Sequence, residues 1–343
     1  MHALVDVTHP AHVHLFRNAI TALEERGHEV SVASREKDVT TELLDAYGIE
    51  HTPLTGKQTG RFALPREWVS RELRLFRFMR ATSPDVVLSH LNPAAAHVSR
   101  ALGVPNVVFH DTEVAGLVER FTAPFAEVVC TPAEFDREVP GRQLRYEGFH
   151  ELAYLHPARF EADPQPLYEA GIDPYEPFSV VRLVAMDAHH DHGSGGFSRE
   201  QVADLVEGLS EHGDVYVTGE NDLPDELGAY EAPTPPEAML DLLAFADLYV
   251  GDSGTMATEA GLLATPAVRY NPLDSEMSVF EELAEYGLVT STMDADEAVE
   301  RALTLAADPD AGARWRRRRR ELLAEKVDVT ALAVELAEEV GGP

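Results

Sequence analysis

The sequence predicts an α/β protein with two domains, each a doubly wound parallel sheet covered by helices on both faces. Short apolar runs alternate with helical stretches, and a proline-dense passage over residues 150–177 divides two such series. Apolar strands separated by helices indicate a parallel sheet, because the crossover helices bury both of its faces. A length of 343 residues suits two domains of roughly 150 residues each.

The first half, residues 1–160, is predicted to form an N-terminal Rossmann-like domain. Its opening strand is followed by a helix that ends at Gly27, since a glycine after a periodic stretch is a common helix stop. We expect strands at 3–7, 29–33, 85–89 and 107–110, with helices from about 14 to 26 and at 94–102.

The second half, residues 161–310, repeats the alternation and predicts a second Rossmann-like domain. Ser198 is followed three residues later by Gln201, which is the capping-box spacing at a helix start. We expect strands at 178–184, 214–218, 247–251 and 267–270, and helices at 198–212, 236–245 and 256–263. The last segment, 311–343, is strongly helical and is expected to pack back on the first domain.

The charge balance is strongly acidic, with 60 acidic against 28 basic residues and a formal net charge of -32. Such a surface repels nucleic acid, which argues against a nucleic-acid-binding function. Its self-repulsion is screened within a few ångströms at about 1 M salt. The composition is therefore typical of a halophilic archaeal cytosol and indicates habitat and solubility rather than chemistry.

A cytoplasmic location is expected, because the sequence shows neither a signal-peptide pattern nor an apolar run long enough to span a membrane, and it contains a single cysteine. The first residues run directly into a strand pattern, and no apolar run approaches the roughly 18 residues of a membrane span. Cys130 is the single cysteine, so an intramolecular disulfide is excluded. Its apolar surroundings predict a buried packing role rather than a reactive thiol.

One passage, residues 246–266, carries the most functional information. It predicts a strand, a tight turn at Ser253, Gly254 and Thr255, and then a helix. Hydroxyls, a glycine that permits close approach and unpaired amides at a helix start together form an anion site. Glu259 lies one turn further on the same face, where its carboxylate suits ribose hydroxyls. A plain helix cap with a solvated Glu259 is the alternative interpretation.

The same passage resembles the donor motif in the C-terminal domain of GT-B glycosyltransferases. It is similar to the Asp-Ser-Gly-Gly and Glu-Glu-Ala pattern of non-hydrolysing UDP-N-acetylglucosamine 2-epimerases, and to the ribose-binding helix of the lipid-linked muramyl-peptide N-acetylglucosaminyltransferase. Over most of its length the chain resembles a mostly archaeal family of unknown function, family 354, through residues 6–14, 110–113 and 182–191. The resemblance implies a GT-B-like fold whose two Rossmann-type domains face a central cleft.

The resemblance also implies residues for the acceptor side of such a cleft. A histidine-rich turn follows the first strand, in the place of the transferase loop whose histidine lies near the reaction centre. This likeness points to His12 as a general base or donor-contacting residue, whereas His9 and His14 are expected to be structural. Asp111 and Glu113 follow another strand, where a carboxylate can activate an acceptor hydroxyl, and the epimerase pattern points to Glu113.

Further donor contacts are expected before and within the loop at 187–192. Arg182 lies in the preceding strand and can neutralise a diphosphate, with a salt bridge inside this acidic chain as the alternative. Asp187, His190 and Asp191 are expected to contact the donor phosphates or sugar, with a structural loop or a metal site as alternatives. GT-B transferases generally need no metal, so neither a metal nor a further cofactor is expected.

Two groups of arginines stand out in this acidic chain. The first, Arg61–Arg80, predicts an amphipathic helix whose arginines and apolar residues face opposite ways. It is a candidate surface for an anionic membrane or a lipid-phosphate acceptor, with a core-facing helix and locally paired arginines as the alternative. The second, Arg314–Arg320, is expected to form an ion-paired face or to dock against the first domain. The two predicted faces of the first helix are Arg71, Arg74, Arg77 and Arg80 against Trp68, Val69, Leu75, Phe76 and Met79.

The sequence therefore predicts a metal-independent GT-B-type glycosyltransferase that binds a nucleoside-diphosphate sugar, in the first instance a UDP-sugar, in the interdomain cleft. Its acceptor is open and includes lipid-linked molecules. Sugar-nucleotide epimerisation on the same fold and a non-catalytic, nucleotide-sugar-binding role are the alternatives. The epimerase motifs Gly-Asp-Thr and Gly-Thr-Arg-Pro-Glu are absent from residues 89–93 and from the opening, which weakens the epimerase interpretation.

Overall fold

The computed structural model describes residues 1–37, 39–56, 63–184, 196–219, 223–272 and 277–342. Its contacts divide the chain into two units, the first comprising Met1–Arg159 with Lys326–Pro343 and the second Phe160–Glu325. Each unit contains one parallel sheet, which confirms the predicted α/β class.

The first unit alternates strands and helices from its first residues. Its elements are β1 (His2–Val7), α1 (Pro10–Glu25), β2 (Glu29–Glu36), α2 (Thr40–Ala46), β3 (Thr52–Gly56), α3 (Ala63–Thr82), β4 (Val86–His90), α4 (Pro93–Leu102), β5 (Asn106–Phe109), α5 (Gly116–Thr122), β6 (Val128–Pro132), β7 (Gln143–Tyr146) and α6 (Leu152–Leu155). Short 3₁₀ turns at Glu113–Ala115 and Ala123–Phe125 flank α5.

The seven strands of the first unit lie in the order β3-β2-β1-β4-β5-β6-β7, and all neighbours are parallel. Strand β1 is central and buried along its whole length, as expected for an apolar strand covered on both faces. The strand order reverses between β1 and β4, and ligands of doubly wound sheets bind at the carboxyl ends beside such a switch point. This edge therefore positions the candidate site of the first unit.

Helix α1 begins earlier than the sequence predicts. It starts at Pro10 rather than near His14, with His9 as N-cap, whose side chain accepts a hydrogen bond from the Ala11 amide. Proline suits the first helical position because its missing N–H would have no intrahelical acceptor there. The early start places His12 in the first turn of the helix, directly at the edge of the sheet.

The second unit carries a five-stranded parallel sheet in the order β12-β11-β10-β8-β9. Its elements are α7 (Gln165–Glu169), β8 (Phe178–Leu183), α8 (Arg199–Ser210), β9 (Asp214–Gly219), α9 (Met239–Phe245), β10 (Leu248–Gly251), α10 (Gly254–Leu263), β11 (Ala267–Tyr270), α11 (Ser278–Glu285), β12 (Val289–Thr292), α12 (Ala295–Ala306) and α13 (Ala311–Leu323). The predicted capping box of Ser198 and Gln201 at the start of α8 is confirmed. The switch point lies between β8 and β10.

The C-terminal segment forms two helices that belong to different units. Helix α13 packs in the second unit, where the Trp315 indole donates to the Leu288 carbonyl at 2.7 Å and Arg318 donates to the Gly287 carbonyl at 2.7 Å. The last helix, α14 (Val329–Gly341), packs in the first unit, and the Thr330 hydroxyl donates to the Ala153 carbonyl at 2.6 Å. The arginine-rich stretch of α13 thus binds carbonyl groups of its own unit.

Helix α3 differs from the predicted arrangement of its side chains. Arg71 is buried with Leu75 and Met79, whereas Trp68 and Val69 are exposed. Residues four apart share a helix face, but residues three apart rotate by about 60° at each step, so a run of arginines spaced by three spreads around the helix. The predicted face is therefore wrong for Arg71, which belongs to the core side.

Cys130 lies on β6 and is fully buried, which confirms its predicted packing role. Burial raises the pKa of its thiol to about 12.

Within the described ranges, no helix combines the length and the apolar character that crossing a membrane requires.

Candidate functional site

Four polar side chains meet at the carboxyl edge of the first sheet, and we call them the histidine cluster: His12, His90, Asp111 and His150. His12 lies in the first turn of α1, His90 ends β4, Asp111 follows β5, and His150 lies between β7 and α6. The ring centroids of His12 and His90 are 4.5 Å apart, and those of His90 and His150 are 5.2 Å apart. The predicted residues His12 and Asp111 are thus brought to one place by different strands.

Asp111 is the centre of the histidine cluster. Its Oδ2 is 2.7 Å from His150 Nδ1, and its Oδ1 is 3.2 Å from His90 Nε2 and accepts from the Thr112 hydroxyl at 2.8 Å. Burial alone would raise the pKa of Asp111, but His150 and then His90 hold that pKa well below its usual range. The carboxylate is therefore ionised at neutral pH and fixed in orientation by three neighbours.

The His12 ring is neutral at ordinary pH. Burial, reinforced by the neighbouring His90 and His9, lowers the pKa of His12 well below its ordinary value. Its Nδ1 accepts from the Thr8 amide at 3.4 Å, which assigns the single ring proton to Nε2. His12 therefore offers a hydrogen-bond donor at Nε2.

A pocket of about 360 Å³ opens beside the cluster in the first unit. Its wall combines imidazole, hydroxyl, amide and guanidinium groups with apolar side chains, a mixture typical of small-molecule sites. His12 and His90 line it, and Asp111 lies behind His90. The lining residues are Thr8, His12, Arg35, Trp68, Arg71, Glu72, His90, Leu91, Asn92, Pro93, Ala94, Thr112, Ala115 and Val118.

A buried ion pair fixes the floor of this pocket. Arg71 of α3 binds the carboxylate of Asp6 on β1, and the Asn92 side-chain amide donates to the other oxygen of Asp6. The Asn92 carbonyl oxygen also accepts from the Ala94 amide at 3.0 Å and caps α4. One carboxylate thereby links β1, α3 and the start of α4, which holds the pocket wall in a single arrangement.

Glu113 occupies a different position from Asp111. It begins the 3₁₀ turn after β5, its side chain is buried, and its carbonyl accepts from Arg137 Nη1 at 2.6 Å. The neighbouring Thr112 and Ala115 line the pocket. The structure thus places Glu113 next to the pocket wall, with its backbone anchored by an arginine.

Exposed apolar side chains lie on α3, on α5 and in the 3₁₀ turns that flank α5, close in sequence to residues that line the pocket, and we call them the apolar rim. Trp68 is 55% exposed and also lines the pocket, and Leu117 is 72% exposed. His97 on the intervening α4 links the two sides, since its Nδ1 is 2.8 Å from Glu72 and its Nε2 is 2.8 Å from the Phe121 carbonyl. The rim consists of Trp68, Val69, Leu73, Val114, Leu117, Phe121 and Phe125.

In the second unit, the predicted strand, turn and helix are present at the switch point. Strand β10 ends at Gly251, and α10 begins at Gly254 with Ser253 as N-cap, whose hydroxyl accepts from the Met256 amide at 3.4 Å. Helix geometry leaves the first amides, those of Gly254 and Thr255, without an intrahelical acceptor. This is the arrangement that attracts an anion.

Two arginines flank this turn on the neighbouring strands. Gly251 pairs in register with Arg182 of β8 on one side and with Arg269 of β11 on the other. A Cβ atom at Gly251 would lie 2.6 Å from the Arg182 carbonyl oxygen and 2.8 Å from Arg182 Cβ. Only glycine therefore fits between the two arginines, whose side chains leave the sheet on the same face.

Both arginines are oriented by specific contacts. Arg182 Nη1 donates to the Gly219 carbonyl at 2.8 Å, and its buried Nε has no hydrogen-bond partner among the described residues. The Arg269 guanidinium lies 3.7 Å from the centre of the Phe280 ring. A Cβ atom at Gly254 would lie 3.0 Å from Phe280 and 3.9 Å from Arg269 Nε, so Arg269 and the start of α10 adjoin each other.

Glu259 is buried in α10, with 5% of its surface exposed. This burial excludes the interpretation of Glu259 as a solvated charge. A buried carboxylate is retained only where polar groups compensate it, so Glu259 forms part of the interior of this region. Asp187, His190 and Asp191, the loop residues predicted for the donor, lie outside the described residues.

Sequence reasoning missed several of these residues. Arg269 and Arg182 are each the second-to-last residue of an otherwise apolar strand end, Val268-Arg269-Tyr270 and Val181-Arg182-Leu183, and this repeated pattern was the available signal. His90 was present as a polar residue at a strand end. His150 and Arg71 had no such signal, because their places depend on the packing of β7 and α3 against distant strands.

Comparison with known proteins identifies the family of the chain and the class of its fold. The family model described as "Protein of unknown function (DUF354)" matches residues 1–339. The uncharacterized protein MJ0665 of Methanocaldococcus jannaschii is 23% identical over 314 residues, covering 86% of this chain and 89% of that protein.

Two solved structures illustrate the likeness of fold. The glycosyltransferase VinC in complex with DTDP has a TM-score of 0.64 at 16% identity and covers 99% of both chains. A putative UDP-N-acetylglucosamine 2-epimerase from Listeria monocytogenes has a TM-score of 0.65 at 14% identity, covering 99% of this chain and 95% of that chain. The predicted GT-B-like fold is thereby confirmed, and the likeness extends to the fold alone.

Proposed function

The chain belongs to the DUF354 family, and we propose that it is a GT-B-type glycosyltransferase. In this proposal the second unit binds a nucleoside-diphosphate sugar and the first unit binds the acceptor. The acceptor oxygen bonds to the anomeric carbon as the bond from that carbon to the diphosphate breaks. The nucleoside diphosphate leaves, and the acceptor proton passes to a basic group of the first unit.

The observation that carries the proposal is the arrangement of backbone amides and arginines at the start of α10. Arg182 and Arg269 supply two positive charges beside the unpaired amides of Gly254 and Thr255. Backbone amides and guanidinium groups commonly bind phosphate oxygens, and the helix dipole favours the negative charge. The same groups stabilise the charge that develops on a departing diphosphate. Ser253 adds a hydroxyl, and Glu259 is proposed to bind the ribose.

The histidine cluster is proposed to serve the acceptor. His90 donates from Nε2 to Asp111, which leaves Nδ1 as its basic nitrogen for the acceptor proton. His12 donates from Nε2 and orients the acceptor or the sugar. Asp111 is a positioning residue in this arrangement, because it lies behind His90. Glu113 is proposed only to support the pocket wall.

The apolar rim supports an acceptor with an apolar portion, presented at a membrane surface. Five large apolar side chains are exposed on α3 and α5, and two more are exposed in the 3₁₀ turns that flank α5, although the chain carries a net charge of -32. Contiguous exposed apolar side chains mark binding surfaces, and Arg77 and Arg80 on α3 are exposed on the same helix. We propose that a lipid-linked acceptor lays its chain along this rim.

Vesicle flotation in high salt tests the membrane part of the proposal. Wild-type protein is expected to float with anionic vesicles, and the double variant Leu117→Ser with Phe121→Ser is expected to remain in solution. Tyr175→Ser, which changes an equally exposed side chain of the second unit, serves as the control. Equal behaviour of the wild type and the double variant contradicts the lipid-linked acceptor.

Calorimetric titration with UDP-, dTDP- and GDP-sugars tests the donor part. One of these ligands is expected to bind wild-type protein, and Glu259→Gln, which keeps the volume of the side chain, is expected to weaken binding by about 10-fold. Binding that is identical in both proteins removes Glu259 from the site, and the failure of all three donors contradicts the proposed function.

Epimerisation is the second candidate, favoured by the structural likeness to the Listeria protein. It differs in its isotopic outcome, because removal and return of the proton at C2 introduces solvent deuterium into the sugar nucleotide without any acceptor. Incubation of the bound donor in deuterated water, followed by mass spectrometry, distinguishes the two. A glycosyltransferase leaves the sugar unlabelled.

A further inference from the structure

Three residues of the histidine cluster could together bind a metal ion, and the proposed transferase reaction gives them no such role. One nitrogen of His90, one nitrogen of His150 and one oxygen of Asp111 all lie within 4.8 Å of one another. The three residues come from β4, from the turn after β5 and from the segment after β7. The fold thus brings two imidazoles and one carboxylate together from separate parts of the first unit.

The spacing of these atoms suits a single cation. Zinc bound to nitrogen and oxygen ligands at about 2.0–2.2 Å in a tetrahedral site requires ligand atoms about 3.4 Å apart. His150 Nδ1 and Asp111 Oδ2 are 2.7 Å apart, and His90 Nε2 and Asp111 Oδ1 are 3.2 Å apart. Both distances are shorter than that spacing, so an ion held between the three residues would lengthen the two contacts.

The groups around Asp111 and His150 resemble those that orient metal ligands in other proteins. The Thr112 hydroxyl donates to Asp111 Oδ1 at 2.8 Å, the kind of outer hydrogen bond that orients a ligating carboxylate. Tyr146 stacks on the His150 ring at an interplanar angle of 15°, and Phe109 meets that ring edge-on at 5.9 Å. These aromatic rings fix the plane of His150 and limit access of water from that side.

We propose that His90, Asp111 and His150 bind one divalent transition-metal ion of the zinc class. Three protein ligands leave a coordination position for water or substrate, as in catalytic rather than structural zinc sites. His90 lines the pocket, so this position is reached from the side where the acceptor is proposed to bind. In the metal-bound form His90 Nε2 and His150 Nδ1 face the ion and no longer donate to Asp111.

The inference deepens the proposed function and is tested separately from it. A coordinated hydroxyl loses its proton more easily than a free one, so a bound ion would activate the acceptor in place of His90, and the acceptor proton would pass to solvent in the pocket. Metal binding is measured without sugar nucleotide or acceptor. A protein that binds metal but no sugar nucleotide therefore refutes the function alone, and the reverse result refutes the metal site alone.

The experiment uses full-length protein without a histidine tag, freed of metal by a chelator and titrated with Co²⁺ as a visible probe. Wild-type protein is expected to bind one Co²⁺ per chain, with ligand-field absorption of a four-coordinate site, and Zn²⁺ is expected to displace it. Excess Ca²⁺ is present throughout, because it occupies the surface carboxylates of this acidic chain and leaves imidazole sites free.

Variants assign the ligands. Asp111→Asn and His150→Gln are each expected to weaken Co²⁺ binding by at least about 100-fold. His51→Gln is the matched control, because the His51 Nε2 is 3.2 Å from Asp45 Oδ1 and forms a histidine–carboxylate pair elsewhere in the same unit. This control is expected to bind as the wild type does.

Two outcomes overturn the proposal: no saturable Co²⁺ binding by the wild type, or unchanged binding by Asp111→Asn. Either result identifies the cluster as a hydrogen-bonded chain of His90, Asp111 and His150 without a metal. Should the variants fail to fold, X-ray absorption of zinc-loaded wild-type protein decides instead. Two imidazole ligands are then expected, and a coordination shell without imidazole contradicts the site.

Discussion

Arg182 and Arg269 occupy the same register on the two strands that flank Gly251 in the second sheet. Gly251 has no side chain and lies between two arginines. Two arginines in such positions are unusual in a chain with more than twice as many acidic as basic residues. In the proposed function both guanidinium groups bind the same diphosphate.

Removal of either arginine is expected to weaken nucleotide binding. Arg269→Gln and Arg182→Gln each lose charge-assisted hydrogen bonds to the diphosphate, which corresponds to about a 10- to 100-fold weaker affinity in calorimetry. Arg199→Gln is the matched control in the same unit, because Arg199 forms an exposed pair with Glu226 at 3.0 Å. A loss of affinity in the control as large as in the two variants would point to a general charge effect.

The two serine caps of the second unit separate stability from binding. Ser253→Ala and Ser198→Ala each remove an N-cap and are expected to lower the free energy of unfolding by about 1 kcal/mol. Only Ser253→Ala is expected to weaken nucleotide binding as well, since its hydroxyl lies at the proposed diphosphate site. Urea unfolding and calorimetry on both variants check this, and matching affinities contradict the assignment.

The Cys130 thiol is expected to be inert in the folded protein. It is fully buried, and burial raises its pKa to about 12, so thiolate is scarce at pH 8. A disulfide reagent such as Ellman's is expected to react with one thiol per chain in denaturant and with none on the same timescale without it. Prompt reaction of the native protein would show that β6 opens readily.

His14 is expected to make the fold sensitive to acid. Burial, followed by the Arg17 charge, lowers its pKa to about 3, and the ring packs between Tyr47 and Tyr154. Below the ordinary pKa of about 6.5 the unfolded chain gains a proton at His14 and the folded chain does not. Stability is therefore lost as the pH falls from about 6.5 towards 3, by about 1.4 kcal/mol at pH 5.5.

The variant His14→Gln isolates this contribution. Its free energy of unfolding, measured by urea titration at pH 7.5 and 5.5, is expected to decline less with acid than that of the wild type. Proton NMR of the His14 ring provides the direct check. A ring signal that titrates in the folded protein between pH 6 and 7 is incompatible with the lowered pKa.

Local sequence signals were sufficient for the central strands of both sheets and for the turn at Ser253, but not for β3, β6, β7 and β12. Apolar runs between helices predicted the parallel sheets, and the four residues from Ser198 to Gln201 predicted the helix cap. The start of α1 was placed too late because its first turn opens with Pro10 and carries no helical periodicity, and α11 and β12 were not predicted within the second domain. Those elements depend on packing more than on their own patterns.

The site was less predictable than the fold, since it depends on long-range pairing. His12 and Asp111 were expected from strand ends and from resemblance, but His150 joins them only because β7 lies two strands from β5. Arg71 carries the spacing of a surface arginine and is nevertheless buried against Asp6. Neither the contact of His150 with Asp111 nor that of Arg71 with Asp6 can be predicted from the residues next to them in the sequence.

A crystal structure of the protein with a bound nucleoside diphosphate tests the central claim most directly. The account predicts diphosphate oxygens within hydrogen-bonding distance of the Gly254 and Thr255 amides, with Arg182 and Arg269 on either side. A nucleotide bound elsewhere on the chain, or a start of α10 that stays without ligand at saturating concentration, would contradict it.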